Sequence, residues 1–256
     1  MNEIQKQKLE QIIADGYEFK FGDYIGKGFN LMQANMGNFI GFILIFFIIS
    51  VVANFIPIIG GLANSLVISP CLMAGFYIVA HKVDQGQATQ FSDFFKGFDY
   101  WGQLALSVLI ISLITIGAMI PFLVTVGTSG FITYFIEIQS DPFTTPPAFP
   151  FWTLIFILPL VYLVVAYTWT TMFIVFYKME AWAAMEMSRR MVTKQWFIIF
   201  LFGFVIALIA GAGAIALFVG LLFTAPAMLC AQYAAFADVT KLMEEAESDI
   251  VDHLVD

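Results

Sequence analysis

The sequence predicts an all-α fold, a polytopic membrane bundle of about six transmembrane helices. The first observation is composition: 61% of the residues are apolar, only 12% are charged and the mean hydropathy is +0.88. Soluble domains carry roughly 25% charged residues. The second is that the apolar residues form solid runs of about twenty, not the alternating pattern of a membrane β-barrel. These observations exclude an ordinary soluble enzyme, a disordered chain and a nucleic-acid binder.

Six apolar segments are the candidate spans, and each is close to the ~20 residues that a bilayer requires. The predicted spans are Phe39–Ile56, Ile59–Ala80, Gly102–Val126, Phe151–Phe176, Trp196–Ala212 and Ala214–Ala237. The connection at 127–149 is predicted to be a loop on the outer surface, with a short re-entrant segment as the alternative.

The basic residues predict the orientation of the spans. All 11 Lys and Arg residues fall before span one, between spans two and three, between spans four and five, or after span six. Positive residues mark the cytoplasmic side, so both termini are expected there. The predicted organisation is a cytoplasmic segment over 1–20, one membrane domain over 21–240 and an acidic cytoplasmic tail over 241–256. The tail is interpreted as a solvated helix end, or alternatively as a docking segment for a basic partner.

The membrane domain is predicted to contain two parallel hairpin repeats. Residues 25–83 overlay residues 181–239 without a gap at an offset of 156, which matches Pro70 with Pro226 and Tyr77 with Tyr233. The central spans occupy 102–176. Each repeat is predicted to comprise an amphipathic helix followed by a two-span hairpin, because apolar residues recur at helical spacing before each hairpin. The helix face in the first repeat is Phe21, Ile25, Phe29, Met32 and Met36.

Three further patterns predict helix geometry and contacts. The first comprises the residues expected to shape the hairpins: Pro70, Pro226, Gly60, Gly61 and Gly75. The second is a stripe of small residues, which would admit a close helix from this bundle or from a second protein: Gly203, Ala207 and Gly211. The third is an aromatic face, expected either in the interface plane or packed on the bundle: Phe91, Phe94, Phe95, Phe98 and Trp101.

The predicted spans lack Asp, Glu, Lys, Arg and His, which argues against a proton-coupled transporter, a pump or an intramembrane hydrolase. No catalytic residue, metal site or cofactor is predicted. Cys71 and Cys230 are interpreted as packing residues. Mild polar residues within the spans, Thr168 and Gln232 among them, are expected to bond between helices or, alternatively, to line a neutral ligand cavity.

Several short motifs resemble a known set of proteins. They are Ile25–Phe29, Ile68–Tyr77, Gln85-Gly86 and the Phe-rich stretch Phe91–Phe98. These segments resemble uncharacterised six-span bacterial inner-membrane families grouped with the glycerophosphodiester phosphodiesterase membrane domain and with YciC-like proteins. The resemblance implies a multi-pass inner-membrane protein and carries no catalytic residues, since the phosphodiesterase catalytic domain is absent from this sequence.

Three functions are weighed on this basis. The favoured one is a non-catalytic accessory or scaffold subunit, with the lipid bilayer and another membrane protein as partners and a bound lipid as a further expectation. The alternative is a small transporter or lipid-handling protein for a neutral or amphipathic molecule, because prolines interrupt two matching spans. A third, an enzyme at the membrane interface, has only the presence of four residues to motivate it: His81, Lys82, Asp93 and Asp99.

Overall fold

The computed structural model describes residues 3–148, 150–215 and 219–243. Most of these residues are helical, and no strand occurs among them. Six helical stretches of the described chain are long and apolar enough to cross a membrane, which confirms the predicted fold class. The acidic tail from residue 244 onward lies outside the described residues.

The first third of the chain holds five α-helices: α1 (Glu3–Asp15), α2 (Phe21–Ala34), α3 (Met36–Asn54), α4 (Ile59–Ala63) and α5 (Ser69–Asp84). A π-helical turn, Asn64–Ile68, joins α4 to α5, so span two runs on to Asp84, beyond the predicted end at Ala80. A 3-10 segment, Phe91–Tyr100, then leads into α6 (Trp101–Val126).

Beyond α6 the chain bends at Gly130, and α7 (Ile132–Glu137) follows a π-helical turn. The first half of the connection at 127–149 is therefore helical, which the loop prediction missed. Span four is a 3-10 segment, Phe151–Ile157, followed by two helices, α8 (Leu158–Ala166) and α9 (Thr170–Tyr177).

The last part of the chain contains α10 (Ala181–Lys194), α11 (Trp196–Ile215) and α12 (Leu221–Val239). The predicted start of span six at Ala214 is wrong, because Ala214 belongs to α11 and the last span begins at Leu221. Periodicity alone cannot divide the continuous apolar run between these spans.

The six spans form three hairpins, and a lead-in segment precedes each one. Hairpin one is α3 with α4–α5, hairpin two is α6 with α8–α9, and hairpin three is α11 with α12. The lead-in segments are α2, the 3-10 segment Phe91–Tyr100 and α10.

Each lead-in segment packs along the returning helix of another hairpin through a small residue. A Cβ on Gly28 of α2 would lie 2.5 Å from the Ala227 carbonyl oxygen of α12. A Cβ on Gly97 would lie 2.0 Å from the Cys71 carbonyl oxygen of α5. On α10, the Ser188 hydroxyl donates to the Ala166 carbonyl oxygen just before α9, at 2.7 Å. The contacts run α2 to α12, 91–100 to α5, and α10 to the α8–α9 junction, which closes a ring of three hairpins.

The centre of this ring is the main hydrophobic core. The returning helices α5, α9 and α12 bury half or more of their residues there, whereas α6 buries only Leu104 and Ser107. Phe236 of α12 contacts the rings of Phe173 and Phe176 of α9. Buried alanines lie between the aromatic residues along α12, so neighbouring helices can approach closely. This packing lies at the end of the bundle that holds the first and last described residues.

That end also gathers the basic residues, so we call it the basic end. Its ion pairs join distant parts of the chain: Lys20 with Asp238 at 3.5 Å, Lys27 with Asp84 at 2.8 Å, and Arg190 with Glu10. We call the opposite end, which carries α4 and α7, the far end. The basic residues that the sequence placed on one side of the membrane therefore lie at one end of the bundle.

Candidate functional site

A cavity of about 810 Å³ lies between α3, α8, α11 and α12. Three residues on its wall are more than half exposed at the surface of the bundle: Phe47 (66%), Val164 (69%) and Phe204 (53%). The cavity therefore opens sideways, at a height that the span arrangement places within hydrocarbon.

The wall of the cavity is apolar, and small residues of α11 provide its space. Gly203, Ala207 and Ala210 line it together with Phe46 of α3. A Cβ on Gly203 would meet no atom of the described chain within 4 Å. The small-residue stripe was predicted to admit a close helix from this bundle or from a second protein, and within the described residues a Cβ added at Gly203 or Gly211 would meet no other segment within 4 Å.

Two polar side chains meet on this wall, and we call them the polar patch: Thr168, just before α9, and Gln232 of α12. The Gln232 amide donates to the Thr168 hydroxyl oxygen at 2.6 Å. Behind it, the Tyr77 hydroxyl of α5 donates to the Gln232 amide oxygen at 2.8 Å. One residue from each hairpin thus contributes to a hydrogen-bonded chain, and this chain fixes the orientation of the Gln232 amide.

Ser50 of α3 is another polar residue on the wall, apart from the polar patch. Its hydroxyl oxygen is buried and has no hydrogen-bond partner in the described part of the chain. A hydroxyl left unpaired in an apolar setting costs about 1–3 kcal/mol.

A cluster of four ionisable groups lies nearer the basic end. The Nδ1 atom of His81 is 2.8 Å from the Tyr233 hydroxyl, which donates to Asp84 at 3.2 Å. Lys27 of α2 pairs with the same Asp84 oxygen at 2.8 Å. The sequence placed His81 only at the cytoplasmic end of a span, and it did not predict these partners.

The Asp93 carboxylate forms ion pairs and a hydrogen bond that hold the fold together. Both lysines nearby pair with it, Lys82 at 2.9 Å and Lys96 at 2.7 Å, and the Gln90 backbone amide donates to it at 2.9 Å. Asp93 is therefore the N3 residue of a capping box whose N-cap is Gln90, and it anchors the 3-10 segment on α5. These contacts explain why a buried carboxylate occurs here.

The hairpin residues predicted from the sequence shape the bundle and do not line the cavity. Gly60 lies against the Ala53 carbonyl oxygen, where a Cβ would come within 1.8 Å, and Gly75 lies against that of Phe94, where a Cβ would come within 1.7 Å. Gly61 has only an ordinary neighbour at 3.6 Å. Pro70 begins α5, and Pro226 lies inside α12.

The aromatic face at 91–101 differs from the predicted one because the segment is a 3-10 helix. Its three-residue period places Phe94 and Gly97 on the buried side and leaves Trp101 59% exposed and Phe95 37% exposed. The segment packs on α5, which was the second of the two predicted arrangements. Likewise, α2 buries Tyr24, Gly28 and Leu31 more deeply than the predicted Phe21 and Ile25.

Neither cysteine forms a disulfide, and both are buried packing residues. No group of His, Cys, Asp and Glu suited to a metal ion occurs within the described ranges. The sequence did not predict where the cavity lies, although it singled out four of the residues that line it as small or polar. Small residues on span five and polar residues on spans four and six were the signal, but their common position depends on helix packing.

Comparison of the chain with protein-family models, curated proteins and solved structures gives no match.

Proposed function

We propose that this integral membrane protein binds an amphipathic membrane molecule and holds the apolar part of that molecule in the cavity. The observation that supports this is an apolar volume of about 810 Å³ that opens at hydrocarbon depth and carries a small polar patch. Ligand sites typically enclose about 300–1,000 Å³, with mostly apolar walls and a few placed polar groups. Lipid handling is therefore the function that the geometry favours.

The wall chemistry supports an uncharged interior. Among the described residues that line the cavity, none is Asp, Glu, Lys, Arg or His. A charge moved into such a site would find no counterion and would cost several kcal/mol. The proposal accordingly concerns a lipid-like molecule and not an ion pathway.

The experiment is a measurement of co-purified lipid after extraction in a mild detergent. Ala207→Phe places a ring inside the cavity, and we expect it to reduce the bound lipid at least about fivefold. The matched control is Leu208→Phe, since Leu208 lies on the same helix, is 56% exposed and does not line the cavity. Equal lipid content in both variants and in the parent chain would contradict the proposal.

An accessory or scaffold role is the second candidate, and the far half of α6 favours it. Leu113, Ile116 and Ile120 are each more than half exposed on this long helix. In a bilayer, lipid covers such a face unless a partner helix does. Co-purification of a stoichiometric membrane protein that is lost in Leu113→Lys would support this role.

Location, catalysis, family and internal duplication are further proposals or predictions. We propose a bacterial inner-membrane location with cytoplasmic termini, supported by the basic end. The absence of catalysis and membership of the resembled families stay predictions. A duplication is supported by equal 14-residue lengths of α2 and α10, each followed by a break, at Asn35 and at Gln195. The two breaks differ by 160 positions whereas Pro70 and Pro226 differ by 156, so a gapless overlay fails and the second hairpin would be four residues shorter.

A further inference from the structure

We infer that the ligand of the cavity carries an uncharged hydrogen-bonding headgroup and that the polar patch, Thr168 with Gln232, binds this group. The inference rests on the proposed function and specifies its ligand class. Neutral lipids with a hydroxyl or carbonyl oxygen fit the site, whereas ionised lipids do not.

Hydrogen-bond accounting supports a headgroup of this kind. The Gln232 amide oxygen accepts from Tyr77, and its NH2 group donates one bond to Thr168. An amide NH2 has two donors and a threonine hydroxyl has one. Within the described chain the recorded bonds therefore leave one amide N–H and the Thr168 O–H, both at the cavity wall, available for an acceptor oxygen.

The surroundings of the patch determine that this acceptor is uncharged. Tyr77 and Tyr233 are 4% and 0% exposed and lie between the patch and the charges near the basic end. Those charges are paired with one another, Lys27 with Asp84 at 2.8 Å. A carboxylate or phosphate in the cavity would lack both water and a free cation, so its burial is disfavoured.

Ser50 is another polar residue of the cavity wall, and its hydroxyl oxygen is buried, so a bound lipid would reach that oxygen only after a change of side-chain rotamer. Ser50 lies on α3, fourteen residues beyond the start of that helix, whereas Gln232 lies seven residues before the end of α12. At 1.5 Å per residue the two side chains differ by roughly 10 Å in depth. An uncharged head with two separated oxygens, as in a monoacylglycerol, has acceptor groups for the patch and leaves its chain among the apolar residues near Phe46 and Phe47.

The test compares lipids of equal chain length on the detergent-purified protein by displacement of a fluorescent lipid. The probes are monooleoylglycerol, oleate at pH 9 and dioleoylphosphatidylglycerol. We expect monooleoylglycerol to bind at least about tenfold more tightly than oleate, because the uncharged head alone is stabilised. If dioleoylphosphatidylglycerol inserts only an acyl chain into the cavity, its binding should not show this dependence on the headgroup.

Thr168→Val removes the hydroxyl at nearly constant volume, and Thr168→Ser keeps it. We expect the valine variant to reduce the monooleoylglycerol preference about five- to tenfold without a change in oleate binding, and the serine variant to retain the preference. Equal binding of monooleoylglycerol and oleate by the parent chain would overturn this inference and leave the proposed function standing. If no probe binds to the parent chain, both fail.

A valine variant that keeps the preference would also overturn the assignment of the patch. Should Thr168→Val not fold, Gln232→Leu provides the same comparison from α12, since it removes the second donor of the patch. Its expected outcome is the same selective loss of monooleoylglycerol binding.

Discussion

At the scale of single residues, Gly28 lies at a close contact between α2 and α12. A Cβ at this position would lie 2.5 Å from the Ala227 carbonyl oxygen and 2.6 Å from the Ala231 Cβ. We expect Gly28→Ala to push the helices apart and to destabilise the protein by about 1–3 kcal/mol. The measurement is thermal unfolding in detergent.

Gly26 is the matched control, because it lies in the same helix and a Cβ there meets no atom of the described chain within 4 Å. Gly26→Ala should leave stability unchanged or raise it by up to about 1 kcal/mol through helix propensity. Equal Tm values for the two variants would contradict the packing described for α2.

The pair Glu10–Arg190 makes α1 sensitive to pH. The hydrogen bond from Arg190 holds the pKa of the Glu10 carboxyl below its ordinary value of 4.5. The group is ionised more readily in the folded state, so its stabilisation is present above about pH 4.5 and is lost as pH falls through the lowered value. Both side chains are more than one-third exposed, so at most about 1 kcal/mol is involved.

We therefore expect α1 to exchange amide hydrogens faster as pH is lowered below about 4.5, after correction for the intrinsic rate. Glu10→Gln should already show the faster exchange at pH 7 and should lose most of the pH step. A pH step of unchanged size in Glu10→Gln would assign the effect to another carboxylate, such as Glu186.

The sequence partly predicted which residues would matter for the site, but it did not predict which of them contact one another. Thr168 and Gln232 were recognisable as polar residues within spans, and Gly203 and Ala207 as a small-residue stripe. Their meeting at one cavity depends on how the helices from three hairpins pack, and no local pattern encodes that distance. The same holds for His81 with Tyr233, which are 152 positions apart.

At the scale of elements, the 3-10 segment Phe91–Tyr100 depends on Asp93. The buried Asp93 carboxylate accepts from the backbone amide of the N-cap residue Gln90 and pairs with Lys82 of α5. Asp93→Asn removes one charge of these pairs and leaves the cap bond weaker, so we expect a loss of about 1–3 kcal/mol and faster hydrogen exchange over 91–100.

The matched control is Asp99→Asn, since Asp99 lies in the same segment and is exposed. We expect this variant to exchange as the parent chain does. If Asp93→Asn leaves the exchange of 91–100 unchanged, the segment is held by Phe94 and Gly97 packing and not by the carboxylate.

Elements of regular period were the predictable part of the fold. The bounds of α6 differ from the predicted span by one residue, because polar segments flank a long apolar run. Two repeats and a third amphipathic stretch before span three were predicted, but the 3-10 form of that stretch, with period three instead of 3.6, was not. The π-helical turns and the break between α11 and α12 lie inside apolar runs and leave no trace in periodicity.

At the scale of the whole molecule, the basic end is tightly packed and the far half is more open. The returning helices α5, α9 and α12 close the core near the basic end, while α3, α8 and α11 leave the cavity between them. One end thus holds the bundle together, and the open part accommodates a ligand.

The orientation follows from the same asymmetry. In inside-out and right-side-out vesicles, a membrane-impermeant thiol reagent should label Asp141→Cys from the outer side only and Lys178→Cys from the cytoplasmic side only. The native Cys71 and Cys230 are buried and give little background. Labelling of both positions from the same side would contradict the six-span arrangement.

Photocrosslinking with a monoacylglycerol that carries a diazirine in the middle of its chain tests directly whether the cavity holds a lipid. If the cavity holds the chain, crosslinks should concentrate on the wall segments 43–50 and 203–210 and decrease at least about fivefold in Ala207→Phe. The lipid-facing part of α6 at 109–120 serves as the internal reference. Crosslinks spread equally over α6 and the cavity wall, and unchanged by Ala207→Phe, would show that lipid only surrounds the bundle.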